Sequence, residues 1–338
     1  MKRRKVALMG LTGEGVEYLD ALRSEVRFDL IGIADTDTDA LRRCAETTGI
    51  RAFDDYRSLV VETAHAGLDF LFVAIEPFQS VEFVKIAAAH GIGVFHKAPF
   101  ARNFREAQQI VSQFEDGRCP LIVARSWLSH PALAGLDQLG ELAGHVYAAT
   151  AHVETVDTPD GWRGHSAQAG GGVLLNGAYE TLDMLIHLLG PARSVHTRCT
   201  VAVVEGAPRK HDTEDVAIVS LDLGGERVAC LTAVRGATEP HETIVLYGTD
   251  GTIEIRDKRM TITPEVSDSA DCFAAESDSP AGHAIRTFST ALLADTQRPP
   301  STGVEHLLTM AAIEAAYLSA RTGAPESPDR FTTSQSLA

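Results

Sequence analysis

Short apolar runs alternate with helix-period segments along the first third of the chain. Residues 5–9 (KVALM) end at Gly10, residues 28–34 end at Asp35, residues 68–74 follow an intervening helical stretch, and a fourth run ends near Phe95. Apolar strands alternating with helices predict βαβ units and a doubly wound parallel sheet. From about Cys119 the pattern changes to longer, alternating strands at residues 145–153, 193–204, 215–223, 227–234 and 243–246. Strands in succession predict an open, mainly antiparallel sheet in an α+β domain. A closing helix is expected at residues 301–321, a mobile loop at 267–280, and a disordered tail after Pro325. The expected division is residues 1–120, residues 121–325, and a tail at 326–338.

One apolar stretch carries polar residues at helical spacing. From Trp162 to Gly190 the chain reads WRGHSAQAGGGVLLNGAYETLDMLIHLLG. After the triple glycine, Asn176, Glu180, Asp183 and His187 recur in steps of four, three and four, which predicts one stripe of a single helix ended by Gly190-Pro191. The remaining positions are apolar enough to be buried. Unpaired carboxylates are costly in such a helix, so Glu180 and Asp183 are expected to face a polar cavity or a partner. An amphipathic helix with its polar side in water is the alternative, and His187 is read as structural.

The first turn, Gly10-Leu11-Thr12-Gly13-Glu14-Gly15, is an altered G-x-G-x-x-G fingerprint. Gly10 and Gly15 fill the outer positions, where glycine permits the tight turn and close helix–strand packing. Thr12 occupies the middle position, where the backbone approaches a diphosphate at a helix N-terminus, and Gly13 adds freedom beside it. Asp35 lies twenty residues past Gly15 at a strand end, where a carboxylate binds the ribose hydroxyls of NAD and repels the 2′-phosphate of NADP. The alternative is that Asp35 and Asp37 cap the next helix. Together these features predict a Rossmann NAD-binding domain.

Composition narrows the partners. The chain has 338 residues, length enough for two cores, and its net charge of −16 argues against nucleic acid or an anionic membrane as partner. Five scattered cysteines (Cys44, Cys119, Cys199, Cys230, Cys272) without a C-x-x-C point to free thiols and a cytoplasmic setting. The basic start is followed by too short an apolar run for a signal peptide, and no run is long enough to span a bilayer. The histidines lack metal-ligand spacing, so no metal is expected.

The segment from Trp162 resembles the substrate-site helix of the glucose–fructose oxidoreductase, inositol dehydrogenase and rhizopine-catabolism family (Gfo/Idh/MocA). That family reads Trp-Arg, a glycine-rich turn, then Asp-x-Gly-x-His-x-x-Asp. Here Trp162-Arg163 and Gly170-Gly171-Gly172 match, while Asn176 stands for the catalytic Asp, Glu180 for the catalytic His, and Asp183 for the last Asp. Gly248–Ile255 resembles the family's Gly-Thr-x-Gly hairpin, and Ala315–Gly323 its closing helix. The family's strand end over the nicotinamide falls on Ala74-Ile75-Glu76-Pro77, which makes Ile75 and Pro77 cofactor contacts. The Glu-Lys-Pro signature, counted without a gap, puts Lys97 on its Glu and Ala98 on its Lys. Lys97 is therefore either a displaced catalytic lysine or an ion-pair partner, because successive residues of an extended segment face opposite ways.

The resemblance implies a dehydrogenase or reductase acting on a small sugar-like, polyol or cyclitol substrate. Glu180 then serves as the acid/base if burial lifts its pKa by roughly two to three units. Asn176 is a hydrogen-bonding residue, Tyr179 a second acid candidate, and Asp183 an orienting neighbour. Trp162, Arg163, Arg125 and His165 are candidates for the substrate cleft. Two other readings stay open: a non-redox or internally recycling enzyme such as an epimerase, lyase or cyclase, and a non-catalytic sensor of a dinucleotide or metabolite. An exposed sheet face implies a homodimer or homotetramer, as in the family.

Overall fold

The structure, a computed structural model, describes residues 3–117, 119–128, 130, 133, 136, 139–202, 211–257, 259–264, 271–273, 279–293 and 301–332. It divides into two compact units. The first alternates strands and helices in chain order: β1 (Arg4–Met9), α1 (Glu14–Ser24), β2 (Phe28–Ala34), α2 (Thr38–Thr48), β3 (Ala52–Phe53), α3 (Tyr56–His65), β4 (Phe70–Val73), α4 (Pro77–Ala89), β5 (Gly93–His96), α5 (Phe104–Gly117) and β6 (Leu121–Val123). The order β3-β2-β1-β4-β5-β6 is parallel throughout, and its direction reverses between β1 and β4. Ligands of such sheets bind outside the carboxyl ends of the strands at that reversal. Local chemistry sets the helix starts. Asp37 caps α2 through the N–H groups of Asp39 and Ala40, Asp55 caps α3 through Ser58, and Pro77 stands in the first turn of α4.

The first unit takes in more chain than the expected division allowed. Residues Ser277–Glu305 rejoin it, although sequence reading placed them in the second domain. Aromatic packing accounts for the return. Phe288, on the helix α10 (Pro280–Leu293), is 1 % exposed, and its ring centroid lies 5.1 Å from Phe70 and 5.3 Å from Phe95. The chain after α10 also borders the sheet edge, where Val123 N donates to the Ser301 carbonyl and Ser301 Oγ donates to the Val123 carbonyl.

The second unit is built on an eight-stranded sheet. Its strands are β7 (Val146–Thr155), β8 (Ser194–Thr200), β9 (Val216–Gly224), β10 (Arg227–Arg235), β11 (His241–Gly248), β12 (Gly251–Arg256), β13 (Arg259–Pro264) and β14 (Asp271–Phe273). Their order is β14-β13-β12-β11-β7-β10-β9-β8, antiparallel except for the β7–β10 pair. The remaining helices are α6 (Leu139–Ala143), α7 (Ser166–Ala169), α8 (Val173–Asn176), α9 (Tyr179–Leu189), α11 (Gly303–Thr322, in this unit from His306 on) and α12 (Asp329–Thr332). One sheet face is apolar, with Ala149, Ala151, Val153, Leu231 and Ala233 buried, and α8 and α9 pack against it. The other face exposes Ile218, Val228 and Tyr147.

Three sequence expectations are corrected here. The helix expected to run unbroken from the triple glycine to Gly190 is two helices, α8 and α9, parted at Gly177-Ala178. The N–H groups of both residues fall on the Val173 carbonyl, and the regular ladder resumes only at Leu182. A Cβ on Gly177 would lie 2.9 Å from Thr155 Cγ2, so the chain turns where it meets β7. Asn176 and Glu180 therefore do not share a stripe. Within the expected loop 267–280, residues 271–273 form β14 and Pro280 opens α10; residues 267–270 and 274–278 lie outside the described residues. In the expected tail, α12 forms and Glu326 bridges Val195; residues 333–338 lie outside the described residues. No helix among the described residues is long and apolar enough to cross a membrane.

Candidate active site

In the first unit the glycine turn follows β1. Gly10 has φ +98°, and a Cβ there would sit 2.8 Å from Ile75 Cγ2. A Cβ on Gly15 would sit 2.4 Å from the Gly10 carbonyl oxygen, so α1 can approach β1 this closely only with glycine at that position. Gly13 adopts φ +54°, a left-handed conformation, as the residue before α1. The backbone N–H groups of Thr12, Gly13 and Glu14 have no acceptor among the described residues. Free donors at a helix N-terminus are the set a diphosphate requires. The turn thus fits a dinucleotide, and the Thr12 side chain is exposed rather than folded into it.

Asp35 braces this turn. It is 4 % exposed, and its carboxylate accepts from Leu11 N at 2.6 Å and Asp37 N at 2.9 Å. Asp37, not Asp35, caps α2. Ile75 is buried against Gly10 and forms the floor of the turn, and Pro77 is buried at the start of α4. Beside them, Lys97 Nζ pairs with Glu76 Oε1 at 2.9 Å.

His96 precedes Lys97 and holds its backbone. Nδ1 lies 2.6 Å from the Lys97 carbonyl and therefore donates, which leaves Nε2 to accept from Ser80 Oγ at 2.8 Å. Burial pushes its pKa down to about 4. A neutral folded imidazole makes stability fall as pH drops from the unfolded pKa of about 6.5 towards 4, because only the unfolded chain takes up the proton. Urea unfolding of wild type is expected to lose up to about 3 kcal/mol more than His96→Gln over that window. Identical pH slopes for the two proteins would remove this assignment.

Arg125, expected in the substrate cleft, lies just after β6. Its side chain is 3 % exposed, and Nη1 pairs with Glu305 Oε2 at 3.0 Å inside the first unit.

In the second unit three elements converge on the triple glycine, which explains why no side chain is present. Gly170 has φ +77°, and a Cβ there would sit 2.3 Å from the Arg102 carbonyl oxygen. On Gly171 a Cβ would meet Tyr317 Oη at 1.9 Å, and on Gly172 the Glu214 carbonyl oxygen at 2.0 Å. Glu214 acts as the cap that α8 lacks locally. Its carboxylate accepts from Gly172 N (2.6 Å), Leu174 N (3.0 Å) and Tyr317 Oη (2.9 Å). Burial raises the Glu214 carboxyl, against the pull of those donors, and burial with the Glu214 charge raises the Tyr317 hydroxyl well above its usual value.

Asn176 closes the same turn, with Nδ2 donating to the Gly171 carbonyl at 2.8 Å. Glu180 is half-buried in the first turn of α9. Its neighbours in sequence face inward. Tyr179 is 2 % exposed, its hydroxyl is 3.0 Å from His306 Nδ1, and the two rings stack at 5.9 Å. Asp183, expected to orient Glu180, is 1 % exposed; its Oδ1 accepts from Thr309 Oγ1 at 2.7 Å and lies 3.4 Å from His306 Nδ1. Tyr179 and Asp183 thus anchor α9 to α11.

Trp162 and Arg163 lie on a 3-10 turn (Gly161–Gly164), both half-buried, with the guanidinium stacked 4.5 Å over the indole. His165 is exposed at the start of α7. Thr213 Oγ1 donates to the Arg163 carbonyl at 2.7 Å, and Arg235 Nη1 donates to Thr213 Oγ1 at 3.1 Å. Sequence reading missed Glu76, Glu214, Arg235, His306 and Tyr317. His306 sits within an apolar helix pattern and Arg235 ends the apolar strand β10, where a buried ionisable residue was the available signal; Glu214 lies in the polar stretch before β9, which offers none. Among the described residues, no cluster of three or more His, Cys, Asp or Glu side chains is placed to hold a metal.

A dinucleotide turn in a parallel six-stranded unit, followed by an open sheet covered on one face, defines a two-unit dinucleotide-binding protein. Residues 4–125 match the oxidoreductase-family NAD-binding Rossmann fold, and residues 138–254 match the GFO/IDH/MocA C-terminal domain. The chain belongs to the Gfo/Idh/MocA oxidoreductase family and carries its NAD-binding domain. Relatives include D-apiose dehydrogenases of Paraburkholderia graminis and Rhizobium rhizogenes, each 25 % identical and matched over 96 % of this chain. The matches cover 89 % and 97 % of those proteins, respectively. Among solved structures, an Agrobacterium radiobacter oxidoreductase in complex with NAD+, L-tartaric acid and magnesium superposes with a TM-score of 0.83 at 21 % identity, covering 97 % of this chain and 99 % of that one. Levoglucosan dehydrogenase in complex with NADH and levoglucosan gives 0.84 at 17 %, covering 96 % and 99 %.

Proposed function

We propose that this oxidoreductase oxidises a hydroxyl of a sugar-like or polyol substrate, or reduces the matching carbonyl, with Glu180 as acid/base in place of the family histidine. The observation that carries the reading is the split fate of the opening of α9. Tyr179 and Asp183 are tied into the interior, and Glu180 is the ionisable side chain of that turn left half-exposed. Glu180, half-exposed in the first turn of α9, is the group assigned to take the hydroxyl proton in the oxidative direction. NAD, bound on the turn from Gly10 to Gly15 with Asp35 at the ribose, supplies the hydride acceptor. Asn176, with its amide NH2 committed to the glycine turn, offers Oδ1 to a substrate hydroxyl. Trp162 and Arg163 offer an aromatic face and a donor to a sugar ring, and the sugar dehydrogenases among the relatives support that substrate class.

The bare face of the second sheet, with Ile218 and Val228 each 55 % exposed, supports self-association through that face. The test is calorimetry with NAD and NADP, followed by an aldose and polyol series, D-apiose included, read by nicotinamide absorbance. NAD is expected to bind at least about tenfold tighter than NADP, because the Asp35 carboxylate repels a 2′-phosphate. Sedimentation of the same sample is expected to give a species larger than 36.2 kDa. Heat from neither dinucleotide sinks the reading; bound NAD with turnover but no net redox change would move it to internal hydride recycling.

A further inference from the structure

Three charged side chains meet at the carboxyl ends of β1, β4 and β5. Lys97 Nζ stands 2.9 Å from Glu76 Oε1 and 3.9 Å from Glu14 Oε2. The Lys97 and Glu76 side chains are 13 % and 20 % exposed, so their attraction is only partly screened, whereas Glu14 is 64 % exposed. Glu76 occupies the N-cap position of α4 without capping it, and its carboxylate goes to Lys97 instead. Glu14 is the first residue of α1, at the helix end whose free N–H groups suit a diphosphate. One ammonium thus has two protein carboxylates within reach, beside the place where two phosphate charges arrive. A purely structural ion pair has no need of that position or of the second carboxylate.

We propose that Lys97 is a ligand of the cofactor's diphosphate and that Glu76 is a positioning residue that sets cofactor affinity by competing for it. The inference rests on the NAD-binding assignment and adds Glu76 to the groups that act on the cofactor. It predicts that weakening the competitor strengthens binding, the opposite of what losing a structural ion pair does.

The probe is ADP-ribose, which carries the diphosphate without the nicotinamide, titrated beside NAD into the full-length protein by calorimetry. Glu76→Gln is expected to tighten both ligands about three- to tenfold and to steepen their salt dependence. Lys97→Met is expected to weaken both about tenfold, and in that background Glu76→Gln should change nothing. Glu76→Asp, which shortens the reach to Lys97 while keeping its charge, should fall between wild type and the Gln variant, and melting curves confirm folding. Weaker or unchanged binding in Glu76→Gln overturns the inference. So does equal tightening in the Lys97→Met background, which would mean direct repulsion of the phosphates. Wild-type protein that binds neither ligand would instead overturn the cofactor assignment.

Discussion

Glu180→Gln is expected to lower kcat by about 10²- to 10⁴-fold while NAD affinity stays within about twofold. The amide keeps the shape of the side chain and its place in the first turn of α9, but it cannot take a proton. Loss of the anion from the helix N-terminus removes about 0.3–1 kcal/mol of dipole interaction, and a melting curve checks that the variant folds. The contacts that fix α9 also remain, because Tyr179 and Asp183 bond to His306 and Thr309 rather than through Glu180. Glu180→His, which restores the family residue, is expected to retain measurable turnover with its pH optimum moved towards the histidine range. Steady-state rates with calorimetry on the same samples decide the matter. A Gln variant with wild-type kcat would show that the proton goes elsewhere.

The largest stability effect is expected at Gly172. An added methyl would lie 2.0 Å from the Glu214 carbonyl oxygen and 2.5 Å from its nitrogen, both backbone atoms held by the start of β9. Gly172→Ala should cost about 3 kcal/mol or more, since neither partner can move without breaking the cap on α8. Gly171→Ala meets side-chain rather than backbone atoms, the hydroxyl and ring edge of Tyr317, which must shift. That movement takes a donor from the buried Glu214 carboxylate, a loss of about 1–3 kcal/mol. Urea unfolding should therefore rank wild type above Gly171→Ala and Gly171→Ala above Gly172→Ala. A Gly172→Ala midpoint equal to wild type would refute the convergence of elements on this turn.

Much of the fold was legible in the chain because its signals are local. Apolar runs with period two or 3.6, caps such as Asp37, and left-handed glycines such as Gly13 act within a few residues of themselves. The fingerprint from Gly10 to Gly15 was legible as a motif; Gly15 is crowded by the Gly10 carbonyl five residues back, whereas Gly10 is crowded by Ile75, which only the fold brings near. The candidate site was less legible. The spacing of Asn176, Glu180 and Asp183 fits one helix, yet a two-residue break at Gly177-Ala178, where the chain runs close to Thr155 of β7, separates the first from the others. Period alone cannot register such a break, because it comes from a neighbouring strand.

The sequence by itself determined the order of most elements and the dinucleotide turn, since each follows from side chains acting on their own stretch of backbone, and its motifs carried the resemblance to the family. Tertiary structure alone decided which way the polar residues turn. Asp183 and Tyr179 face inward because Thr309 and His306 meet them from 126 and 127 residues away, and Glu214 caps α8 with help from Tyr317, 103 residues distant. It also returned Phe288 to the first core and gave Lys97 to Glu76. Desolvation penalises a buried charge or hydroxyl until a partner is supplied, and that partner comes from whichever segment the packing brings near.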